Sequence, residues 1–349
     1  MSPWETPATP AFYDTEAQVF ARYALRPQTR QLRLVEPGMS LRAVEAGSGT
    51  GEPLVFLHGI CLAAAHWASM VARLGSRRCI AIDMPGHGGS DGADYTGVDL
   101  RRWHTRMLAG CLDALGLDSA HIVGHSYGGM IGLWLALDAP KRVRSVVSLG
   151  TPSVAFGARP DLTLRMLSKR GIGPLALTMP NPGFVYRRIL AVSLGRGAIG
   201  SAPPELIRAT YLGTRRRDYA RTVSTYLREQ FRGAGASPPR YVLQDDELAR
   251  IRRPVLIVLG NHDDRYQPIG DARRKASRIP GARFELVVGG HEPWLDDLAP
   301  CAQVISDFVD DSTSGIGRRG DISDGGMTRA DAQDSPADGG AAGDQVVPP

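Results

Sequence analysis

Short apolar runs alternate along most of this chain with segments in which apolar residues recur every three or four positions. Six of the runs are compact, as buried parallel strands usually are, and lie at 54–57, 79–82, 121–124, 143–149, 255–259 and 283–288. Two earlier runs, 31–36 and 41–46, predict an opening hairpin. The periodic segments 63–74, 98–115 and 127–137 are typical of helices that cover a sheet. The pattern therefore predicts an α/β fold with a mainly parallel, eight-stranded sheet and helices on both faces.

The alternation stops at Gly150. Residues 152–250 contain Pro and Gly clusters and no convincing strand, and their helical patterns lie at 162–167, 185–194, 205–212 and 219–231. We interpret this stretch as a helical lid inserted into the fold, because strand and helix patterns resume after it, with helices at 268–278 and 293–309. The predicted organisation is an N-terminal extension (1–30), a core in two parts (31–151 and 251–310) separated by the lid (152–250), and a tail (311–349). The tail is rich in Gly, Asp, Ala and Ser and is expected to be disordered.

A candidate nucleophile lies between a predicted strand and a predicted helix. Gly124-His125-Ser126-Tyr127-Gly128 fits the pattern G-x-S-x-G. In this motif a tight strand-to-helix turn exposes the serine hydroxyl at the carboxyl edge of the sheet. The glycines are needed because the backbone passes close to its neighbours in that turn. Five residues match by chance in many chains, but this structural context makes Ser126 the candidate nucleophile.

Four further segments follow the order found in the α/β-hydrolase superfamily, which the chain resembles from about residue 31 to 310. They are Leu57-His58-Gly59-Ile60, Asp83-Met84-Pro85-Gly86-His87-Gly88-Gly89-Ser90, Leu259-Gly260-Asn261-His262-Asp263-Asp264 and Gly289-Gly290-His291-Glu292-Pro293-Trp294. The resemblance implies that His291 is the general base and that Asp263 orients it. It also implies that the backbone N–H groups of Ile60 and Tyr127 form an oxyanion hole.

The acid has a competing assignment, because Asp263 and Asp264 stand side by side. The superfamily's common pattern places the acid three residues after the strand-ending glycine, and counting from Gly260 selects Asp263. The spacing to Pro268 is one residue longer than in many relatives, so a shifted loop that presents Asp264 stays open.

Composition narrows the cofactors and partners. The four cysteines are widely spaced in apolar stretches and are expected to be buried free thiols, and the eight histidines show no metal-ligand spacing, so no metal or cofactor is expected. The net charge of +5 could indicate a nucleic-acid partner. Only three of the basic residues are lysine, however, and such a preference for arginine is typical of a coding bias, so no nucleic-acid partner is expected. The first thirty residues contain no continuous apolar run, which predicts a cytoplasmic protein with no membrane span. A small-molecule substrate is the expected partner, and a homo-oligomer stays open.

The expected function is that of a serine hydrolase that cleaves a carboxylic ester, or a related acyl bond, through an acyl-serine intermediate. The serine at the turn argues against epoxide hydrolases and haloalkane dehalogenases, which place an aspartate there. Meta-cleavage product hydrolases, which cut carbon–carbon bonds, remain an alternative, as do cofactor-free perhydrolases or haloperoxidases and non-catalytic ligand-binding homologues.

The lid raises two further alternatives. Residues 151–250 contain sixteen Arg or Lys against seven Asp or Glu, an excess that either steers an anionic substrate or forms solvated helix faces. Its apolar residues either line an acyl pocket or form the lid's own small core; they are Leu175, Leu177, Met179, Phe184, Val185 and Tyr186.

Overall fold

The computed structural model describes residues 9–47, 49, 51–179, 182–231, 237–264 and 266–314. Within them, eight strands form one sheet in the order β1-β2-β4-β3-β5-β6-β7-β8. The strands are β1 (Gln28–Leu34), β2 (Met39–Ala46), β3 (Leu54–Leu57), β4 (Cys79–Ile82), β5 (Ala120–His125), β6 (Val143–Leu149), β7 (Val255–Gly260) and β8 (Arg283–Val287). The predicted α/β class and strand number are confirmed.

The strand directions bring the predicted motifs to one edge of the sheet. β1 and β2 form the predicted antiparallel hairpin, and β2 pairs antiparallel with β4. All remaining pairs, from β4 through β3, β5, β6 and β7 to β8, are parallel. Parallel strands end at a common edge, so the loops that follow β3, β4, β5, β7 and β8 meet there, which is where ligands bind in open α/β sheets.

The described helices are α1 (Pro10–Arg22), α2 (Ala68–Arg73), α3 (Leu100–Leu115), α4 (Tyr127–Asp138), α5 (Leu162–Leu167), α6 (Ile172–Thr178), α7 (Gly183–Leu194), α8 (Arg196–Ser201), α9 (Pro204–Gly213), α10 (Arg217–Gln230), α11 (Asp245–Arg250), α12 (Ile269–Ala276), α13 (Pro293–Asp296) and α14 (Leu298–Ser314). Short 3₁₀ turns occur at Ala64–Trp67, Pro140–Arg142, Ser153–Phe156 and Pro239–Tyr241. Helices α5 to α11 lie between β6 and β7, and residues 153–250 are called the helical segment below.

Two apolar cores lie on opposite faces of the sheet. One joins side chains of α3, α4, α10 and α12 to β1, β3 and β5. The other joins α1, α2, α9 and α14 to β2, β3 and β7. Strand β3 contributes to both because all four of its side chains are buried, which explains why it reads in the sequence as a continuous apolar run.

Several predicted elements and boundaries differ from the structure. The N-terminal extension contains α1, whose buried face includes Phe12 and Val19 and which packs against α9. The predicted helix 293–309 is two helices, α13 and α14, and α14 continues to Ser314. Residues 311–314, predicted to belong to the disordered tail, are therefore helical, whereas residues 315–349 lie outside the described residues. Across the described ranges, the helices are too short or too polar to cross a membrane.

Candidate active site

The candidate nucleophile lies in a strained turn. Ser126 follows β5 directly, precedes α4 directly, and has φ 49° and ψ −102°. A Cβ atom on Gly124 would lie 2.3 Å from the carbonyl carbon of Gly128, and one on Gly128 would lie 2.1 Å from the Leu57 carbonyl oxygen. Both positions therefore require glycine, which is the physical reason for the G-x-S-x-G spacing.

The candidate base and acid form a buried pair. Nδ1 of His291 lies 2.8 Å from Oδ1 of Asp263, and both side chains are buried. The other carboxylate oxygen, Oδ2, accepts the backbone N–H of Thr151 at 2.8 Å and lies 3.3 Å from its hydroxyl. Burial raises the pKa of Asp263, but the charge and hydrogen bond of His291, with the bonds from Thr151, outweigh burial and leave it lowered. An ionised Asp263 accepts the Nδ1 proton, which leaves Nε2 of His291 as the nitrogen able to take a proton.

The structure separates the two neighbouring aspartates. Asp263 is buried at the His291 ring, whereas Asp264 is exposed. The geometry thus brings together His291 and the aspartate that counting from Gly260 selected.

Ser126 and His291 line one cavity of about 620 Å³, together with both predicted oxyanion-hole residues, Ile60 and Tyr127. The N–H of Tyr127 is at the first position of α4, where a helical N–H has no intrahelical acceptor. The positive end of the helix dipole also points toward this position, which favours a developing negative charge.

Tyr127 is held in place by its side chain. Its hydroxyl hydrogen-bonds Nε2 of His104, and its ring packs edge-on against Tyr226 with centroids 4.7 Å apart. Burial raises the pKa of the Tyr127 hydroxyl well above its ordinary value and lowers that of His104 to about 3, so both groups are neutral. The start of α4 is therefore anchored by a buried, uncharged pair.

Two buried histidines shape the loops after β3 and β4. His58 has Nδ1 2.7 Å from the Gly59 carbonyl, and its Nε2 accepts the Met84 N–H at 2.9 Å. His87 accepts the Cys61 N–H at 3.1 Å through Nε2. Burial lowers the pKa of each to about 3, so both rings are neutral and each supplies one acceptor. These hydrogen bonds give the histidine of each motif a structural role. Neither role requires the ring to take part directly in catalysis.

Asp83, the first residue of the second motif, connects the same loops. Its carboxylate accepts the N–H of Ala64 at 2.8 Å and that of Gly89 at 2.9 Å, and it forms a buried ion pair with Arg42 at 2.9 Å. A Cβ on Gly88 would lie 2.1 Å from Oδ2 of Asp83, so the glycine makes this approach possible.

His125 links the nucleophile turn to the histidine loop. Its Nε2 donates to the backbone carbonyl of His291 at 2.9 Å, and the two rings have centroids 4.8 Å apart. Burial lowers the pKa of His125 well below its ordinary value, which keeps the ring neutral beside the candidate base. Gly59 leaves room for it, because a Cβ there would lie 2.4 Å from Nδ1 of His125.

A second buried histidine–carboxylate pair lies next to the site and was missed by the sequence analysis. Nδ1 of His66 lies 2.8 Å from Oε1 of Glu292, the residue after His291, and Nε2 lies 2.8 Å from Oγ1 of Thr210 in α9. Thr210 donates its only proton to the Leu206 carbonyl at 2.7 Å, so it accepts from Nε2 of His66. This chain of bonds is called the His66 link below.

The helical segment supplies much of the cavity wall. Of the six apolar residues predicted there, Leu177, Met179 and Tyr186 line the cavity, whereas Leu175 and Phe184 are exposed. The acyl-pocket prediction thus has geometric support for half of that set.

Two arginines also line the cavity. Arg215 donates to the carbonyls of Met179 at 2.6 Å and Leu177 at 3.0 Å, and its Nε is buried without a hydrogen-bond partner among the described residues. Arg159 is exposed at the same cavity, near the start of α5. Its backbone N–H donates to Tyr266, whose ring packs on His291 with centroids 5.0 Å apart.

The cysteines contribute no described disulfide. Cys79, Cys111 and Cys301 are buried free thiols as predicted, and Cys61 is half-buried at the cavity wall. Among the residues that the structure describes, His, Cys, Asp and Glu form no group of three that could hold a metal ion.

Known proteins resemble this chain in sequence and in fold. A family model described as alpha/beta hydrolase fold matches residues 52–168. A 2-hydroxymuconate semialdehyde hydrolase from Pseudomonas sp. strain CF600 is 40% identical over 276 residues, which are 75% of this chain and 88% of that protein. A 2-hydroxy-6-oxononadienedioate/2-hydroxy-6-oxononatrienedioate hydrolase from Paraburkholderia phymatum is 30% identical over 296 residues, or 80% and 95% of the two chains.

The chain therefore belongs to the α/β-hydrolase fold family and is a hydrolase. Solved structures with the same fold include the carboxylesterase CesB from Bacillus subtilis, with a TM-score of 0.64 and 23% identity over 85% of this chain and 96% of that one. A meta-cleavage product hydrolase from Pseudomonas fluorescens IP01 has a TM-score of 0.63 and 20% identity over 81% and 98%.

Proposed function

We propose that the protein is a serine hydrolase that cleaves a carboxylic ester of a small to medium molecule, with Ser126 as nucleophile, His291 as general base and Asp263 as the orienting acid. The observation that carries the proposal is the pairing of Asp263 with Nδ1 of His291 at 2.8 Å, on the wall of the cavity that Ser126 also lines. That pairing leaves Nε2 as the proton acceptor, which a serine hydroxyl needs because it is a poor nucleophile by itself.

The reaction follows from these roles. Ser126 Oγ attacks the ester carbonyl carbon while Nε2 of His291 takes its proton, and the carbonyl oxygen becomes an oxyanion. The backbone N–H groups of Ile60 and Tyr127 stabilise that charge. His291 then gives its proton to the leaving alcohol, and the acyl group stays on Ser126. Water, activated by the same histidine, attacks the acyl-serine and releases the carboxylic acid.

The lining of the cavity favours an apolar acyl or alcohol group. Beside the reacting residues it consists largely of aliphatic and aromatic side chains, among them Leu164, Leu167, Leu190, Leu194 and Phe231. A volume of about 620 Å³ is within the range of small-molecule sites. An uncharged ester of moderate length matches this wall because it brings no charge of its own into an apolar site.

The test is labelling by a fluorophosphonate probe, followed by turnover of p-nitrophenyl esters of graded chain length. We expect the probe to label Ser126 and turnover to rise with acyl length until the cavity is filled. The Ser126→Ala variant is the control and must lose the label. If the folded wild-type protein is not labelled, the serine-hydrolase proposal is wrong and a ligand-binding role takes its place.

A second candidate is hydrolysis of a carbon–carbon bond in a substrate that carries a carboxylate. Two observations favour it: the relatives at 30% and 40% identity are named as hydrolases of such compounds, and Arg159 and Arg215 line the cavity. The test is to measure kcat/KM for 2-hydroxymuconate semialdehyde, followed by its absorbance, beside kcat/KM for the best p-nitrophenyl ester. The larger value decides between the two candidates, and Arg215→Met should lower only the value for the anionic substrate.

A further inference from the structure

The helical segment exposes an apolar surface on α5, α6, α7 and their junctions. Seven large apolar side chains are exposed there, including Leu162 at 75% and Phe184 at 77%. The full set is Leu162, Met166, Ile172, Leu175, Met179, Phe184 and Ile189, and we call it the apolar surface. Elsewhere in the described residues, only Tyr13, Val35, Leu286 and Val288 are large, apolar and exposed. Exposed apolar side chains concentrated in one segment are typical of an interaction site.

The same stretch carries positive charge alone. Residues 162–204 contain six Arg or Lys and no Asp or Glu. All five basic side chains whose exposure the structure describes are exposed, namely Arg165, Lys169, Arg170, Arg187 and Arg188. A partner of this surface must therefore accept apolar side chains and also present negative charge.

Helical spacing places the basic residues beside the apolar ones. On α5, Arg165 is three residues after Leu162 and Met166 is four residues after it, so the three share one face. On α7, Arg187 and Arg188 are three and four residues after Phe184, so these three also share one face. Long basic side chains can thus extend past the apolar side chains toward a charged layer.

The apolar surface is continuous with the mouth of the candidate active site. Leu162, Met166, Met179 and Ile189 are exposed and also line the cavity that contains Ser126. An apolar molecule held at this surface would reach the cavity without crossing bulk water.

We propose that the apolar surface docks the protein on an anionic lipid bilayer, with the exposed apolar side chains at the acyl-chain boundary and the basic residues at the headgroups. Apolar side chains flanked by Arg and Lys are the combination that binds such an interface. A second copy of this chain fits less well, because a symmetric contact would place the same basic surface on both sides. The docking goes beyond the proposed ester hydrolysis and does not depend on it.

The experiment is co-sedimentation of the full-length protein with vesicles of equal parts phosphatidylglycerol and phosphatidylcholine, beside vesicles of phosphatidylcholine alone. We expect binding to the anionic vesicles that weakens as salt is raised. Each basic residue near the membrane contributes a factor of about five to partitioning, so Lys169→Gln with Arg170→Gln should weaken binding about 25-fold. Leu175→Ser with Phe184→Ser should weaken it at least about tenfold, because both side chains leave water on docking.

Matched controls lie outside the helical segment, on β1 and directly after it. Arg30→Gln with Arg33→Gln removes two exposed charges from β1, and Val35→Ser removes an apolar side chain that is 95% exposed. Both control proteins should bind like wild type. The Ser126→Ala protein should also bind like wild type, which separates this proposal from the proposed chemistry.

Four results would overturn the proposal. The first is equal binding to both kinds of vesicle or none to either, and the second is equal weakening by the control substitutions. The third is self-association in analytical ultracentrifugation that Leu175→Ser with Phe184→Ser abolishes, which would assign the surface to a second copy. Binding that appears only after residues 315–349 are removed would assign it to the chain's own tail.

Discussion

Replacing Asp263 by asparagine tests the proposed triad most directly, because the structure dictates which way the amide must face. The oxygen at the Oδ2 position accepts the Thr151 N–H at 2.8 Å, and an amide NH₂ group there would oppose a donor. The amide oxygen therefore stays on Thr151, and its NH₂ group points at Nδ1 of His291, 2.8 Å away in the native pair. An NH₂ donor forces Nδ1 to be the acceptor, so the ring proton moves to Nε2. His291 can then no longer take the proton of Ser126.

The expected loss in kcat is ~10³–10⁴-fold, the scale of the loss that the same substitution causes in a serine protease. This loss corresponds to about 4–5.5 kcal/mol of transition-state stabilisation. Asp264→Asn is the matched control, because Asp264 is exposed, and it should cost under about tenfold. Turnover of a p-nitrophenyl ester measures the loss in kcat for each purified variant. A urea melt of the same protein measures its stability and shows whether it is folded. Reversed sensitivities in two folded proteins would move the acid to Asp264, and equal small effects would remove the acid from the mechanism.

Three further predictions follow from the site and its supports. Ser126→Ala should reduce ester turnover to the background left by the oxyanion hole with an unchanged melting temperature, and a variant with wild-type turnover would refute the assignment. Three buried histidines, His58, His87 and His104, have pKa values of about 3 in the folded protein and stay neutral there. In the unfolded chain the same histidines bind protons below about pH 6.5. Urea melts should therefore show stability falling by up to about 4 kcal/mol per pH unit toward pH 5, and a flat profile would contradict their neutrality. Truncation after Ser314 should change neither melting temperature nor ester turnover, because residues 315–349 are poor in apolar side chains, and a large loss of stability would show that they dock on the domain.

The sequence predicted the centre of the sheet better than its edges. Strands β3, β4 and β6 have the predicted bounds because their side chains are buried almost throughout, so each is a sharp apolar run. Strand β1 lies three residues earlier than expected at its start, because only two of its seven side chains are buried and its pattern is weak. Helix α1 was not predicted, although Thr9 at its N-cap followed by Pro10 is a recognised start signal.

Residues in and around the candidate site also differ in how readily the sequence reveals them. Ser126, Asp263 and His291 each stand in a local motif, so a few neighbouring residues were enough to select them as candidates. The His66 link joins residues 226 and 144 positions apart. Glu292 stands in the His291 motif, but no local pattern marks His66 or Thr210. Only the position of the 3₁₀ turn Ala64–Trp67, with His66 bonded to Thr210 of α9 on one side and to Glu292 on the other, reveals it. The exposure of Leu175 and Phe184 likewise depends on how short helices pack, which periodicity does not specify.

The His66 link limits how this protein can be re-engineered. A chimaera that grafts the helical segment of another family member onto this sheet would lose the hydroxyl of Thr210 unless the donor carries one there. The imidazole N–H of His66 would then be buried without an acceptor, at a cost of about 1–3 kcal/mol, next to the loop that holds His291. Directed evolution of substrate range is therefore expected to succeed through point changes on the cavity side of the helices. Wholesale exchange would require His66, Glu292 and Thr210 to be transferred as one unit.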